Sequence, residues 1–221
     1  MIVSPKSNQS TMDFVKSVGG QLKEVCAPLY ESLNFKHFAH LRYYRDGRYF
    51  HLCDNLKWVQ TRFENSLNLN VTCRSGGKNI LKPGWQVFQW SGEPTNPLHA
   101  TLYDMDIWNG CTVYNVLPEY IEVWGFGSKR EDVQKVNFYL NEMELLKRFT
   151  LYFKSKTEKL INTTNPQHFF QDPSLKSLFD ISTGIEEKRS TFLGNTDIAK
   201  YIYDENVSFS KQEHMSMANQ N

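Results

Sequence analysis

The chain has 221 residues, of which 40% are hydrophobic and 14% aromatic, so it can build a packed core and is not expected to be disordered throughout. Its 25 Lys and Arg are spread along the sequence and balance 24 Asp and Glu, which argues against nucleic-acid binding by this chain alone. Four scattered cysteines, no apolar leader and no apolar run of about 18 residues predict a reduced, cytoplasmic protein without a membrane segment.

The first predicted element is a helix over residues 12–33, because its apolar residues recur every three or four positions. The polar residues 1–11 before it are predicted to be disordered. Gly19 and Gly20 weaken the middle of the helix by about 1 kcal/mol each, so two shorter helices that meet there are the alternative.

A β-hairpin follows, with its turn at Asp46-Gly47 in "RYYRDGRYF". That dipeptide favours a two-residue turn, which would pair His40 with Cys53 across the strands and place His51 diagonally on the same face. Imidazole and thiolate are zinc ligands. A fourth ligand is not evident, however, and such side chains more often pack or hydrogen-bond, so we predict no metal site.

The remaining elements alternate between helical and strand patterns. A Ser-x-x-Glu capping box at 128–131 opens the longest of them, a helix that would continue to about residue 160. The others are a helix at 55–67, a strand at 85–90, a helix at 99–108 and a second hairpin at 110–127. This order predicts an α+β fold, an antiparallel β-sheet flanked by helices with a long C-terminal helix.

Catalytic motifs are missing from the sequence. It contains no Gly-x-Ser-x-Gly, His-Glu-x-x-His or Gly-x-Gly-x-x-Gly, and the residues around Gly77-Lys78 do not form a phosphate-binding loop. We therefore predict that the protein is not an enzyme and has neither catalytic residues nor a cofactor. Its tryptophans, with Phe63, could line a ligand pocket or only fill the core, and one side chain can do both.

Two stretches carry a family resemblance. "CAPLYESLNFKHFAHLRYYRDGRYFHLCDNLKW" and "VLPEYIEVWGFGSKREDVQKVNFYLNEMELLKRFTLYFKSKTEKL" together resemble the N-terminal sensory domain of LuxR-type transcriptional regulators. The resemblance implies a PAS-like sheet flanked by helices over residues 12–164. It covers roughly residues 20–165 as a pattern over the whole domain, without a short diagnostic signature.

The resemblance also implies what would follow the sensor. Residues 165–206 would be a linker or an irregular extension. "VSFSKQE" at 207–213 resembles the opening of the helix-turn-helix domain of this family, and Ser210 and Glu213 have capping-box spacing. Residues 207–221 are therefore expected to be the remnant of a missing or truncated DNA-binding domain, through which alone DNA would be bound.

The expected function is small-molecule or partner sensing that controls dimerisation and DNA binding. The candidate ligand residues are Trp58, Arg62 and Trp85, and Leu140 and Met143 would contribute to a homodimer. Lactone-binding members have a Tyr four residues after the Trp and an Asp-Pro pair downstream. This chain has Arg62 there, and its Asp-Pro pair comes only at residues 172–173, so an acyl-homoserine lactone is not the expected ligand. The alternative is a stand-alone interaction module that forms mixed dimers with related regulators.

Overall fold

The computed structural model describes residues 5–65, 67, 74–75, 78–79, 81–90, 93–94 and 96–179, and of residues 5–8, 74–75 and 78–79 it describes the backbone. The α-helices of these residues are α1 (Pro5–Glu31), α2 (Leu56–Glu64), α3 (Pro97–Asp104), α4 (Lys135–Asn141) and α5 (Met143–Thr157). The strands are β1 (His37–Tyr44), β2 (Arg48–Cys53), β3 (Arg74–Ser75), β4 (Lys78–Asn79), β5 (Gly84–Gln89), β6 (Trp108–Val116), β7 (Tyr120–Ser128) and β8 (Phe170–Gln171). No helix among the described residues is long and apolar enough to cross a membrane.

One antiparallel sheet of six strands organises the protein, in the order β5-β6-β7-β1-β2-β8, while β3 and β4 pair with each other. Side chains alternate between its two faces. Face A carries Leu41 and Val123, and packs against α2, α3 and the 3₁₀ helix Pro173–Phe179. Face B carries Phe38 and Phe126, which contact Phe149 of α5 at 5.1 and 6.4 Å between ring centroids. The predicted α+β fold, an antiparallel sheet flanked by helices, is thus confirmed.

The first hairpin has a different register from the predicted one. Leu41 pairs with His51, and His40 pairs with Leu52 instead of Cys53. The loop is one residue longer than a two-residue turn, and Gly47, with φ of +87°, occupies its left-handed position. A shift of one residue moves every β2 side chain to the other face. His40 therefore lies on face B, and His51 and Cys53 lie on face A.

Helix α1 starts earlier than expected and does not break. It begins at Pro5, so residues 5–11, predicted as disordered, are helical, and it runs through Gly19 and Gly20 without interruption. Thr11 is fully buried, and its hydroxyl donates to the carbonyl oxygen of Phe169 at 3.0 Å. This contact ties the N-terminal part of the helix to a segment far along the chain.

The long helix near the C-terminus is interrupted at Glu142, which separates α4 from α5. The two helices have different anchors: in α4, Lys135 Nζ donates to the carbonyl of Leu33, whereas α5 packs on face B. Ser128 does not cap a helix. It is the last residue of β7, and its hydroxyl donates to Asp132 Oδ2 at 2.7 Å, so the predicted capping box is not formed.

Part of the predicted linker belongs to the core. Within residues 165–206, β8 pairs with β2, and Phe170, Leu175 and Leu178 are fully buried in the face A core. Residues 166–179 therefore pack as part of the same fold as residues 12–164. Residues 180–206 and the predicted helix-turn-helix remnant at 207–221 lie outside the described residues.

Candidate ligand-binding site

Trp58 is placed on face A by the start of α2. The side chain of Asn55 caps this helix by accepting a hydrogen bond from the Trp58 backbone N–H at 3.0 Å. The indole is only 3% exposed and meets the imidazole of His37 edge to face, with 6.2 Å between the ring centroids. The cap therefore directs the first turn of α2, and Trp58 with it, onto the sheet.

A gap of about 50 Å³ lies beside Trp58, between face A and the helices α2 and α3. Its lining is mostly apolar, with the polar groups of His37, His51, His99 and Thr112. Helix α3 is fixed by its own cap, Asn96, which accepts from the His99 N–H at 2.9 Å. The gap thus has the composition of an organic-ligand site, apolar walls with a few convergent polar groups, at a much smaller volume.

The histidines of this gap have unused hydrogen-bonding capacity. Among the described residues, His37 Nδ1, His99 Nε2 and both ring nitrogens of His51 are buried and find no hydrogen-bond partner. Burial lowers the pKa of His37 to about 4, and burial together with Arg62 holds the pKa of His51 well below its ordinary value. These rings are neutral at pH 7. A buried polar atom without a partner costs about 1–3 kcal/mol, which a ligand that hydrogen-bonds to it would recover.

Arg62 lies on the same face, at the β2 end of the core. It is 3% exposed, its Nη2 donates to the Tyr49 hydroxyl at 3.1 Å, and its guanidinium lies 5.7 Å from the ring centre of Phe170. In the described part of the chain no carboxylate lies within 4 Å of it. Aromatic rings and one hydroxyl therefore hold this buried cation beside the gap without placing it in the gap wall.

Trp85, the third predicted ligand residue, lies on face B. Its ring stacks on Trp124 with 5.3 Å between centroids, and Trp124 stacks at the same distance on His40. The structure thus brings Trp58 and Arg62 to one face and places Trp85 on the other.

A buried cluster of charged residues around Glu122 was not predicted from the sequence. Glu122, on face B in β7, is fully buried, and it accepts from Arg42 Nη2 at 2.7 Å and from Lys154 Nζ at 2.9 Å. His40 Nε2 lies 3.8 Å from the same carboxylate. Burial would raise the pKa of Glu122, but His40, Lys154 and Arg42 outweigh it and lower that pKa to about 2. The sequence signal that could have indicated this cluster is the position of Glu122, two residues from Trp124 on a strand face that is otherwise apolar.

The two predicted dimerisation residues differ in exposure: Leu140 is 38% exposed, and Met143 is 4% exposed. Other exposed apolar side chains on α5 are Leu145, Leu151 and Tyr152. Among the described residues, no group of three or more His, Cys, Asp or Glu side chains is arranged to hold a metal ion.

Comparison with known proteins adds little to this geometry. No protein-family model matches the chain, and no curated protein matches it. Among solved structures, "SdiA in complex with octanoyl-rac-glycerol" is 13% identical, with a TM-score of 0.40, over 75% of this chain and 72% of that one. A TM-score this low carries no argument about function, so the proposals below depend on the chain's own residues.

Proposed function

We propose that this chain is the signal-sensing domain of a LuxR-type transcription regulator. A small molecule would bind between face A and helices α2 and α3 and control dimerisation and DNA-binding output. The observation that carries the proposal is the set of buried imidazole nitrogens that surround the gap beside Trp58 without partners among the described residues. The sequence resemblance to LuxR-type sensory domains supports the same function.

The size of the gap suggests how binding becomes a signal. A drug-sized ligand needs a cavity of about 300–1,000 Å³, whereas the gap holds about 50 Å³. An organic ligand therefore requires α2 or α3 to move away from the sheet. Binding would then select an expanded arrangement and shift the population towards it, which is the property a sensor needs.

Dimerisation through α4 and the start of α5 belongs to the same proposal. Leu140 is the better contact residue because it is partly exposed, whereas Met143 would support the surface from inside the fold. The second candidate function is an interaction module that forms mixed dimers with related regulators. The exposed Leu145, Leu151 and Tyr152 on α5 favour it, since they would suit a protein partner.

A thermal-shift screen of the full chain with lactones, fatty acids and aromatic metabolites tests the sensing function. A ligand at about 100 times its Kd should add roughly 2.7 kcal/mol to stability. His51→Leu, which removes two unpartnered nitrogens at similar volume, should abolish that gain and leave the ligand-free protein folded. His168→Leu is the control, because His168 lies outside the gap and packs on Phe14. A flat screen, or a gain that His51→Leu does not change, would favour the interaction module.

A further inference from the structure

A second, larger cavity lies on face B and is not used by the function proposed above. It is a cleft of about 410 Å³ between β1, β2 and the C-terminal end of α5. That volume falls in the range of sites for small organic ligands. The sheet separates the cleft from the gap beside Trp58, because the two cavities are lined by side chains of opposite faces.

The inner wall of the cleft is cationic. Arg42 and Lys154 line it, with side chains 22% and 33% exposed, while their common partner Glu122 lies beneath them and is not exposed at all. The two oxygens of Glu122 accept one hydrogen bond from each cation. Arg has five N–H donors and Lys has three, so most of their donors stay free of Glu122. Arg42 and Lys154 carry two positive charges and Glu122 carries one negative charge, so this wall has a net charge of +1.

Besides its bond to Glu122, Arg42 is held in place by two aromatic rings. The guanidinium of Arg42 lies 4.4 Å from the ring centre of Tyr120 and 5.4 Å from that of Phe50, and in the described part of the chain its buried Nε has no hydrogen-bond partner. The remaining charged group of the lining, Glu158, is exposed, where water and salt screen its charge. The fixed part of the site therefore favours an anion.

Besides the buried polar residues His40 and Thr157, the rest of the lining is apolar on one side and small on the other. Phe50 and Leu52 of β2 are buried, and Ile161 is half-buried. Ser155 and Thr163 are exposed and leave the cleft open to solvent. A ligand that fits both halves has one carboxylate and a compact hydrocarbon body.

We propose that this cleft binds a small organic acid, with its carboxylate bridging Arg42 and Lys154 and its apolar body against Phe50, Leu52 and Ile161. Glu122 acts as a positioning residue, because it orients the two cations and does not itself reach the ligand. A neutral analogue of the same shape would lose the ionic hydrogen bonds, which are the stronger part of such a contact.

Isothermal titration of the full chain with 3-phenylpropanoate and with its amide, 3-phenylpropanamide, tests the charge requirement. We expect the acid to bind and the amide to bind at least about ten-fold more weakly. Lys154→Gln should weaken the acid about five-fold or more, whereas Lys156→Gln, an exposed lysine of α5 outside the cleft lining, should not. Equal binding of acid and amide would overturn the proposal.

A blocking variant keeps the test independent of the Glu122 cluster. Ser155 is exposed, and its hydroxyl contacts only the carbonyl of Tyr152 among the hydrogen bonds of the described residues, so Ser155→Trp should fill the cleft and leave the fold intact. Acid binding should then disappear at an unchanged melting temperature, while His51→Leu should leave it unaltered. Acid binding that survives Ser155→Trp, that His51→Leu removes, or that does not saturate by about 10 mM would refute the cleft site.

Discussion

Replacing Glu122 with Gln is the sharpest test of the buried charge cluster on face B. Glu122 is fully buried, and its pKa is lowered from 4.5 to about 2 by His40, Lys154 and Arg42 against the opposing effect of burial. At 1.36 kcal/mol per pKa unit, the folded state prefers the ionised form over the neutral form by about 3 kcal/mol more than the unfolded state does. Gln has the shape of the neutral form and leaves two cations without their counter-charge. We therefore expect a loss of about 3 kcal/mol at pH 7, or about 6–12 °C in melting temperature.

Urea denaturation of wild type and variant between pH 7 and pH 3 would measure this difference. The pKa of Glu122 is depressed in the folded state, so its contribution is complete above the ordinary value near 4.5 and is lost as the pH falls towards 2. The gap between the two proteins should accordingly shrink below pH 4.5. Glu119→Gln is the control, because Glu119 is an exposed carboxylate in the residue directly before β7. A deficit under about 0.5 kcal/mol at pH 7, or one unchanged at pH 3, would refute the reasoning.

Three further predictions concern other parts of the chain. Burial lowers the pKa of His37 to about 4, so the unfolded chain binds a proton at His37 at higher pH than the folded protein does. This difference should lower the free energy of unfolding by about 3 kcal/mol between pH 6.5 and pH 4. Urea denaturation of His37→Leu should show a weaker dependence of stability on pH over that range. Met143→Asp should unfold the protein, because it places a charge at a buried position. Leu140→Asp, at a partly exposed position, should leave the melting temperature unchanged, and a dimer formed through α4 should then sediment as a monomer. Gly47→Ala should destabilise the protein by about 1–2 kcal/mol, because φ of Gly47 is +87° and an added Cβ would lie 3.0 Å from the carbonyl oxygen of Asp172. Gly20→Ala should stabilise the protein by about 0.5–1 kcal/mol, because Gly20 lies within α1 and an added Cβ would meet no neighbouring atom.

The order and type of the elements were predictable because their signals are local. The second hairpin, β6 and β7, follows from alternation on both sides of Pro118, and α2 and α3 follow from apolar spacing over single short segments. None of these predictions needs knowledge of a distant residue. The α+β fold could therefore be derived from the chain without any comparison.

Elements held by distant contacts could not be predicted in this way. Residues 5–11 are polar, and their helix depends on α1 packing that includes the bond from Thr11 to Phe169, 158 residues away. Residues 170 and 171 form a strand only because β2 offers its edge to them. Local composition predicts disorder and a linker for these segments, and tertiary contacts override it.

The candidate sites separate into a predictable and an unpredictable part for the same reason. Trp58 is a candidate because the family resemblance singles out a tryptophan at this position, and the apolar spacing of residues 55–67 predicts the helix that carries it. Glu122 was missed because a single carboxylate in a strand is ordinarily solvent-facing. Its burial is offset by His40 and Arg42 from the neighbouring strand and by Lys154 from α5, and the two cations are 80 and 32 residues away in sequence.

The register of the first hairpin shows how a local ambiguity decides the chemistry of both faces. Asp46-Gly47 suits a two-residue turn, but it suits equally a loop one residue longer in which Gly47 takes the left-handed position. The longer loop is held by Asp46, which accepts from the Arg48 N–H at 3.0 Å, and by the Gly47 carbonyl, which accepts from the Asp172 N–H at 2.9 Å. The second of these bonds comes from a segment that no local pattern connects to the turn.

With the shorter turn, His40 and His51 would lie on the same face together with Cys53, as a cluster of residue types that can bind a metal ion. The longer loop sends His51 to face A, where it borders the gap beside Trp58, and leaves His40 on face B, 3.8 Å from Glu122. Side chains alternate with a period of two, so no intermediate arrangement exists between these outcomes. One loop residue therefore separates the two histidines, so that neutral imidazoles border one cavity and paired cations border the other.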